Sequence, residues 1–150
     1  INGEVIGINT AITGSDNGQS LGFSIPVNDI KNQISSVLST GKIQRPYLGV
    51  VYRLVNERFA YIYNLPAQKG AYIPPSENGQ SSIIKGSPAD KSGLKEKDII
   101  TNIDDREIDE KNSLVGVLGS YKSGDVVELT VLRGGDTLTI DVKLEAAPEE

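Results

Sequence analysis

Residues 86–108, "GSPADKSGLKEKDIITNIDDREI", are the stretch that decides the fold of this chain. "SPADKSGL" predicts one capped turn of helix, because Pro88 suits the first helical position and Gly93 suits the end of a helix. "KDIITNI" predicts a short strand, since β-branched residues dominate it, and "DDRE" predicts a tight turn. Short elements in quick succession indicate a small mixed domain, mainly β.

The chain downstream of this stretch predicts a second helix and a hairpin. The helix is predicted over about 110–120, where apolar residues recur at helical spacing and form one stripe. "DVVELTVLR" and "DTLTIDVKL" alternate apolar and polar residues, and the glycines at 134–135 between them predict a two-residue hairpin turn. A stripe of this kind is usually core. Its members are Leu114, Val117, Leu118 and Tyr121.

The chain upstream predicts further short strands. One is expected at 47–53, followed by a helical segment from about Asn56. "GAYIP" and "SSIIK" predict two more strands around the polar loop "PSENGQ". This part of the chain is therefore expected to hold five or six short, mostly antiparallel strands and two helices.

The first forty residues predict a separate group of elements. Residues 3–12 and "LGFSIP" predict two strands joined by a loop at 13–20. A helix is predicted over about 29–39, and Gly41 suits its C-terminal end. We therefore expect a boundary between Gly41 and Pro46.

Length and charge narrow the classes of protein. The chain has 150 residues, enough for one ordinary domain or for a small domain with a remnant of another. Its 20 acidic and 15 basic residues argue against a nucleic-acid partner and against attraction to anionic membranes. No apolar run approaches the length of a membrane span. Since methionine is absent, we expect the chain to be a piece of a longer protein.

Two missing residue types exclude whole classes of chemistry. Without cysteine the chain has no disulfide, thiol nucleophile or thiolate metal site, and without histidine it has no Ser-His-Asp triad. We expect no catalytic residue, no metal and no cofactor in the chain, which should be inactive alone. The acidic residues from Asp104 to Glu110 do not match a calcium-loop spacing and are expected to serve the turn and the helix start.

The stretch "RPYLGVVY", Arg45–Tyr52, leaves two interpretations open. A glycine in a strand most often marks a bulge or turn. The alternative is a cradle for an anion, because a residue without a side chain allows close approach to the backbone and an arginine lies nearby.

Four motifs in a consistent order together resemble a known family. They are "YLGV", the stretch 86–108, the following helix, and "SGDVVELTVLRGGDTLTIDVKL". They resemble the PDZ domain of bacterial HtrA/Deg serine proteases over about residues 44–145. The segment "NGEVIGINTAI…LGFSIPVNDIKNQISSVLSTG" is similar to the last strands and closing helix of the trypsin-like protease domain of that family.

The resemblance implies the fold class and the domain organisation. The fold is expected to be α+β and mainly β: a PDZ-like, partly open antiparallel β-sandwich capped by two helices. The expected domains are a protease remnant at 1–41, a PDZ domain at 42–147 and a frayed tail at 148–150. Within the remnant, Ile8, Asn9 and Thr10 would belong to the strand that pairs with the protease substrate.

The resemblance also implies a binding site for hydrophobic C-termini or extended segments of proteins, which PDZ domains add as a strand to an open sheet edge. The terminal carboxylate would meet N–H groups around Tyr47, Leu48 and Gly49. Arg45 would add a counter-charge, unless Pro46 directs it away. The last side chain of the peptide would enter a pocket between the strand and the second helix. The groove residues are Val50, Val51, Tyr52, Leu114, Val117 and Leu118.

The chain departs from the usual motif, since "YLGV" has one glycine fewer than the common G-L-G-F loop. The resemblance implies a parent serine endopeptidase of protein quality control that is homo-oligomeric (trimeric) and extracytoplasmic. It leaves open whether the parent is anchored to a membrane, which this fragment is not expected to touch. Two alternatives stay open. The domain either mediates assembly of subunits without binding a free peptide, or acts as a spacer whose helix stripe is only core.

Overall fold

The computed structural model describes residues 4–14, 20–41, 45–76 and 79–148. The chain divides into two compact units, Ile1–Gln44 and Arg45–Glu150. The predicted domain boundary after residue 41, most of the predicted loop 13–20, part of the polar loop around 77–78 and the end of the predicted tail lie outside the described residues.

The first unit consists of a hairpin and one helix. Strands β1 (Gly7–Gly14) and β2 (Ser20–Pro26) are antiparallel, and helix α1 covers Val27–Thr40. The helix begins two residues before the predicted range. It ends as predicted at Gly41, which is left-handed and whose N–H donates to the Val37 carbonyl at 2.8 Å.

The predicted substrate strand lies in β1. Ile8 pairs with Ile25 and Asn9 with Ser24, after which the register shifts by one residue. Thr10 lies at this bulge and its hydroxyl donates to the Phe23 carbonyl at 3.3 Å. Its role toward a substrate stays a prediction.

The second unit contains three helices and eight short strands among its described residues. In chain order they are β3 (Pro46–Tyr47), β4 (Arg53–Val55), α2 (Glu57–Tyr63), β5 (Gly70–Tyr72), α3 (Pro88–Lys91), β6 (Ile99–Ile103), β7 (Arg106–Glu107), α4 (Leu114–Leu118), β8 (Val126–Arg133), β9 (Asp136–Lys143) and β10 (Glu145–Ala146).

Every strand pair in this unit is antiparallel. The main sheet has the order β4-β5-β6-β8-β9, with β7 added beside β6, and a separate pair joins β3 to β10. The predicted hairpin is confirmed: Arg133 pairs with Asp136 across Gly134 and Gly135, whose φ angles of 61° and 101° suit a two-residue turn of the primed type. The unit is therefore mainly β, as predicted.

Three predicted elements differ from the structure. The strand expected at 47–53 is two short strands, because Gly49 has a φ of 84° and interrupts the extended backbone between them. "SSIIK" forms only an isolated bridge, between Ile83 and Val50. The helix expected at 110–120 is limited to the five residues of α4, and the unit has three helices where two were predicted.

Two buried apolar clusters hold the unit together: a smaller one around Val55, Ala60 and Ile99, and a larger one. The larger cluster is the main core. It is formed by buried aliphatic side chains from the loop before β4, from α3 and α4, and from the strands of the main sheet. They include Leu48, Ala71, Ile73, Ala89, Ile100, Ile103, Leu114, Val117, Leu118, Val127, Leu129 and Val142. Val50 and Tyr52 are half-buried and pack against this cluster. The sheet, α4 and the "YLGV" stretch therefore share one core.

One feature of membrane proteins is absent from the described part of the chain. None of its helices is long and apolar enough to cross a bilayer.

Candidate functional site

The candidate site is the open edge of the main sheet at β4 and the segment that leads into it. Among the described residues β4 has one neighbouring strand, β5, and stands last in the sheet order. Just before β4, the Val51 N–H donates to the Ser82 carbonyl at 2.7 Å, and the Ile84 N–H donates to the Gly49 carbonyl at 3.0 Å. One edge of this segment is thus occupied.

The opposite edge carries backbone groups that face outward. Val50 lies across from Ile83 in the antiparallel bridge, and the two hydrogen bonds of that bridge are made by the flanking residues. In an extended strand successive residues direct their N–H and C=O groups to opposite edges. The N–H and C=O of Val50 therefore face away from Ile83, toward the side where no described strand lies.

Hydrogen bonds to residues 84–89 hold two peptide planes in the loop before β4. The Leu48 carbonyl accepts from the Ala89 N–H at 2.9 Å, and the Gly49 carbonyl accepts from the Ile84 N–H at 3.0 Å and from the Ser87 hydroxyl at 3.3 Å. In a planar trans peptide the C=O and the next N–H point in opposite directions. The N–H groups of Gly49 and Val50 are consequently directed away from residues 84–89.

These two N–H groups form a small concave donor site. Within the described part of the chain neither donates to a recorded acceptor. Consecutive backbone N–H groups at a left-handed residue are a common arrangement for holding an anion. The turn interpretation of "RPYLGVVY" is confirmed by the left-handed backbone of Gly49, and this turn directs the two donors outward. The binding of an anion there stays a prediction.

Gly49 tolerates no side chain in this conformation. Its φ is 84°, and a Cβ built on it would lie 2.2 Å from the Ser87 Cβ and 2.5 Å from the Ser87 Oγ. Glycine is therefore required here by both backbone conformation and space.

The other predicted carboxylate-binding residues are placed differently. Tyr47 belongs to β3 and pairs with Glu145. The side chain of Leu48 is buried in the core. Arg45 is exposed, and its backbone carbonyl accepts from the Ala147 N–H at 3.0 Å. The hydrogen bonds on the Leu48 and Gly49 carbonyls establish the direction of the Gly49 and Val50 N–H groups. The roles of Arg45, Tyr47 and Leu48 toward a carboxylate stay predictions.

The predicted groove residues divide into two groups. Val50 and Tyr52 lie on the core side of the strand, whereas Val51 is 55% exposed. On α4, Leu114, Val117 and Leu118 are only 1%, 5% and 6% exposed, so the stripe belongs chiefly to the core. The structure brings strand and helix residues into one cluster, and a peptide pocket between them stays a prediction.

The end of α4 is held by a polar cluster. The Tyr121 hydroxyl donates to the Asp104 carboxylate at 2.6 Å, and the same carboxylate accepts the Glu128 N–H at 2.8 Å. The Arg106 guanidinium donates to the Ser120 hydroxyl at 2.7 Å and lies 6.0 Å from the centre of the Tyr121 ring. These contacts fix the helix end against the turn between β6 and β7.

The same cluster shifts two pKa values. The hydrogen bond from Tyr121, followed by that from the Glu128 N–H, lowers the pKa of Asp104. Partial burial, followed by the hydrogen bond to Asp104, raises the pKa of Tyr121 to about 12. Both shifts favour the carboxylate–phenol pair in its hydrogen-bonded form.

The acidic stretch 104–110 serves the local structure. Asp104 accepts the bonds just described, and the Asp109 carboxylate accepts the N–H groups of Lys111 and Asn112 at 2.8 and 2.7 Å. Among the described residues no cluster of three metal-ligating side chains occurs.

Ser87 is the functional candidate that sequence reasoning missed. It was recognised only as part of a helix start, and its side chain is buried at 4% exposure against Gly49. The available signal was the pair of motifs "YLGV" and "GSPAD", but nothing local indicates that residues 38 positions apart meet.

Comparisons with known proteins identify the family of the chain. The family described as PDZ domain matches residues 46–144. The chain is 35% identical to the serine protease Do-like HtrA of Bacillus subtilis, with 99% of this chain and 33% of that protein covered. It is 33% identical to the periplasmic serine endoprotease DegP of Salmonella typhimurium, with 99% of this chain and 30% of that protein covered.

Solved structures give the same result. An HtrA-type protease AlgW with a decapeptide has a TM-score of 0.74 at 26% identity, over 99% of this chain and 44% of that one. The serine endoprotease from Yersinia pestis, at 19% identity, has a TM-score of 0.59 over 97% of this chain and 44% of that one and supports the fold alone. The chain spans about a third of the length of the curated relatives.

Proposed function

The chain belongs to the PDZ domain family and resembles HtrA/DegP serine proteases along almost its whole length, and from this premise we propose that it binds the C-terminus of a partner polypeptide. The ligand is a hydrophobic C-terminal or extended segment of a protein. It adds as a strand to the open edge at Gly49–Tyr52, and its carboxylate meets the N–H groups of Gly49 and Val50.

The observation that carries this proposal is the fixed direction of those two N–H groups. Three hydrogen bonds hold the Leu48 and Gly49 carbonyls against residues 84–89, so the donors face outward before any ligand arrives. A hydrogen bond to a charged group contributes about 1.5–3 kcal/mol. Two such bonds are therefore enough to separate a free carboxylate from an uncharged chain end.

Two predicted features complete the proposed site. Arg45 is exposed and supplies positive charge near the terminal carboxylate, and the last side chain of the peptide packs between Val50 and the α4 residues Leu114, Val117 and Leu118. The polypeptide backbone pairs with the outward-facing groups of Val50 and Tyr52.

The biological setting follows the relatives. We propose that the parent protein is an extracytoplasmic, homo-oligomeric serine endopeptidase of protein quality control, in which this domain delivers substrates or signals to the protease. Several relatives are named periplasmic endoproteases, and the AlgW structure contains a decapeptide. The first unit, with Ile8, Asn9 and Thr10 on a substrate-pairing strand, would belong to the protease domain.

A pair of twin peptides tests the binding proposal. Both end in Tyr-Val, one with a free carboxylate and one with a C-terminal amide, and both are titrated against the chain by calorimetry. We expect saturable binding of the acid near the micromolar range, about −8 kcal/mol, and at least tenfold weaker binding of the amide. Equal affinities would refute recognition of the carboxylate.

The second candidate function is assembly of subunits through the same edge. In this case a second copy of the chain competes with the peptide for the edge. The peptide with the free acid must then dissociate oligomers of the chain. Analytical ultracentrifugation with and without peptide separates the two cases. In the parent protease, loss of stimulated proteolysis on deletion of 44–147 supports a regulatory role, and unchanged proteolysis contradicts it.

A further inference from the structure

We infer that Ser87 is a positioning residue for carboxylate recognition, and that its hydroxyl sets how strongly the site prefers a free C-terminus. The inference rests on the proposed function, since it assigns a role within the same site. Ser87 does not face the open edge and is not expected to touch the peptide. It acts through Gly49.

The hydroxyl of Ser87 can donate only one hydrogen bond. Its oxygen accepts the Asp90 N–H at 3.3 Å as the N-cap of α3. Its proton goes to the Gly49 carbonyl at 3.3 Å, in a buried contact. This is one of the two hydrogen bonds on that carbonyl, and the peptide plane they hold is the one that carries the Val50 N–H.

The contact is steric as well as polar. The position that a Cβ of Gly49 would take lies 2.2 Å from the Ser87 Cβ, so the side chain of Ser87 fills the space directly beside the Gly49 backbone. Buried atoms packed this closely leave the peptide plane little freedom to rotate. Ser87 thus limits the tilt of the donor site from behind.

Ser87 is itself held rigidly. Its N–H donates to the Ile84 carbonyl at 3.0 Å and its carbonyl accepts the Lys91 N–H at 3.0 Å. The Asp90 carboxylate, three residues on, accepts the Gly86 N–H at 2.7 Å. The turn before α3 is therefore a firm template, and the hydroxyl transmits its position to the loop at Gly49.

The test compares Ser87→Ala and Ser87→Gly with Ser92→Ala. Glycine is among the residues favoured at an N-cap, so S87G keeps the helix start while lacking the hydroxyl. Ser92 lies at the other end of α3, and its hydroxyl donates to the Ala89 carbonyl at 3.0 Å. S92A is thus a matched loss of a serine hydroxyl on the same helix.

Affinities for the acid and amide peptides are measured for all four proteins, together with thermal unfolding. We expect both Ser87 variants to bind the acid about three- to tenfold more weakly, with amide binding unchanged, so that the acid-to-amide ratio falls. S92A keeps the ratio of the unaltered chain. A general loss of folding would lower both affinities together and would not move the ratio.

Two contrary results have different meanings. If the unaltered chain prefers the acid and both Ser87 variants keep its ratio, the positioning role is refuted while the proposed function stands. If the unaltered chain shows no preference for the acid, the proposed function itself is refuted and the role of Ser87 with it.

Discussion

At the scale of single residues, Gly49 joins the fold to the candidate site. Its left-handed backbone interrupts what would otherwise be one strand, and this interruption turns two N–H groups outward. The contact with Ser87 leaves no room for a side chain. Gly49 therefore forms both the turn and part of the donor site.

Replacing Gly49 tests this dual constraint. Gly49→Ala should lower the free energy of unfolding by about 3 kcal/mol or more, because a clash with Ser87 adds to the roughly 1–2 kcal/mol of a left-handed alanine. Gly86 is the control: its φ is 79°, and a Cβ there would meet nothing within 4 Å. Urea unfolding should show only the conformational cost for G86A. Equal losses of unfolding free energy in G49A and G86A would mean that the contact with Ser87 adds no cost at Gly49.

Tyr121 makes a second prediction at this scale. Its folded pKa is raised to about 12 from an ordinary value near 10, so the folded chain keeps a proton that the unfolded chain releases between these values. The resulting contribution to stability is complete below pH 10 and is lost as the pH rises toward 12. Urea unfolding from pH 8 to 11.5 should show a steeper decline for the unaltered chain than for Tyr121→Phe. Parallel declines would contradict the assigned pKa.

At the scale of elements, β4 is the strand that gives the sheet its usable edge. Its inner side is paired with β5, and the preceding residues are paired with Ser82–Ile84. An added strand would meet the outward groups of Val50 and Tyr52, which recur every second residue. Binding at this edge must therefore show a two-residue period along the peptide backbone.

N-methylation of the peptide detects that period. A methyl group on an amide that pairs with the edge removes one hydrogen bond and should weaken binding about tenfold, since a lost bond costs about 1 kcal/mol and the methyl group adds a clash. A methyl group one residue along faces solvent and should change the affinity little. Fluorescence competition with singly methylated peptides gives the pattern. A uniform loss, or none, would exclude strand addition.

The sequence predicted those elements whose signals are local. Pro88 and Gly93 delimit α3 through their own backbone restrictions, and Gly134-Gly135 specify the hairpin in the same way. The short length of α4 was not predictable from its period. The apolar spacing continues to Tyr121, but the hydroxyl of that residue donates a hydrogen bond to Asp104, which lies in another part of the chain.

The candidate site was predictable in position but not in detail. The stretch "YLGV" predicted a binding loop here, and the structure places Gly49 and Val50 at an open edge, while the binding role stays a prediction. The direction of the N–H groups depends on hydrogen bonds from Ile84, Ser87 and Ala89. These residues reach the loop only through tertiary folding. The burial of Leu114, Val117 and Leu118 likewise depends on packing that periodicity alone does not determine.

At the scale of the whole molecule, an ion pair between the half-buried Arg133 and the buried Asp98 connects distant parts of the second unit. Asp98 is fully buried and receives two bonds from the Arg133 guanidinium, at 2.8 and 2.7 Å, and one from the Lys95 N–H at 2.8 Å. Arg133 also donates to the Gly93 carbonyl at 2.9 Å. The hydrogen bond to Asp98 raises the pKa of Arg133. The pair fastens the end of β8 to the start of β6 and the end of α3.

Breaking this pair should affect the entire unit. Arg133→Met leaves the Asp98 carboxylate buried without its cation, which should cost about 3 kcal/mol and appear as a lower unfolding temperature of the unit. The control is Lys91→Met, which removes an exposed pair with Glu145 at 2.5 Å and should cost at most about 1 kcal/mol. Calorimetric scans of both variants give the comparison. Similar small losses would show that Arg133 is not needed to stabilise Asp98.

The most direct measurement follows the backbone amides of Gly49 and Val50 by NMR while the acid peptide and its amide twin are added. We predict that the acid shifts these two amide protons strongly downfield, as charge-assisted hydrogen bonds do, with smaller changes along the edge to Tyr52. The amide twin should leave the two resonances almost in place. If the acid saturates the chain but its large shifts appear elsewhere and not at Gly49 and Val50, carboxylate recognition by these two N–H groups is contradicted.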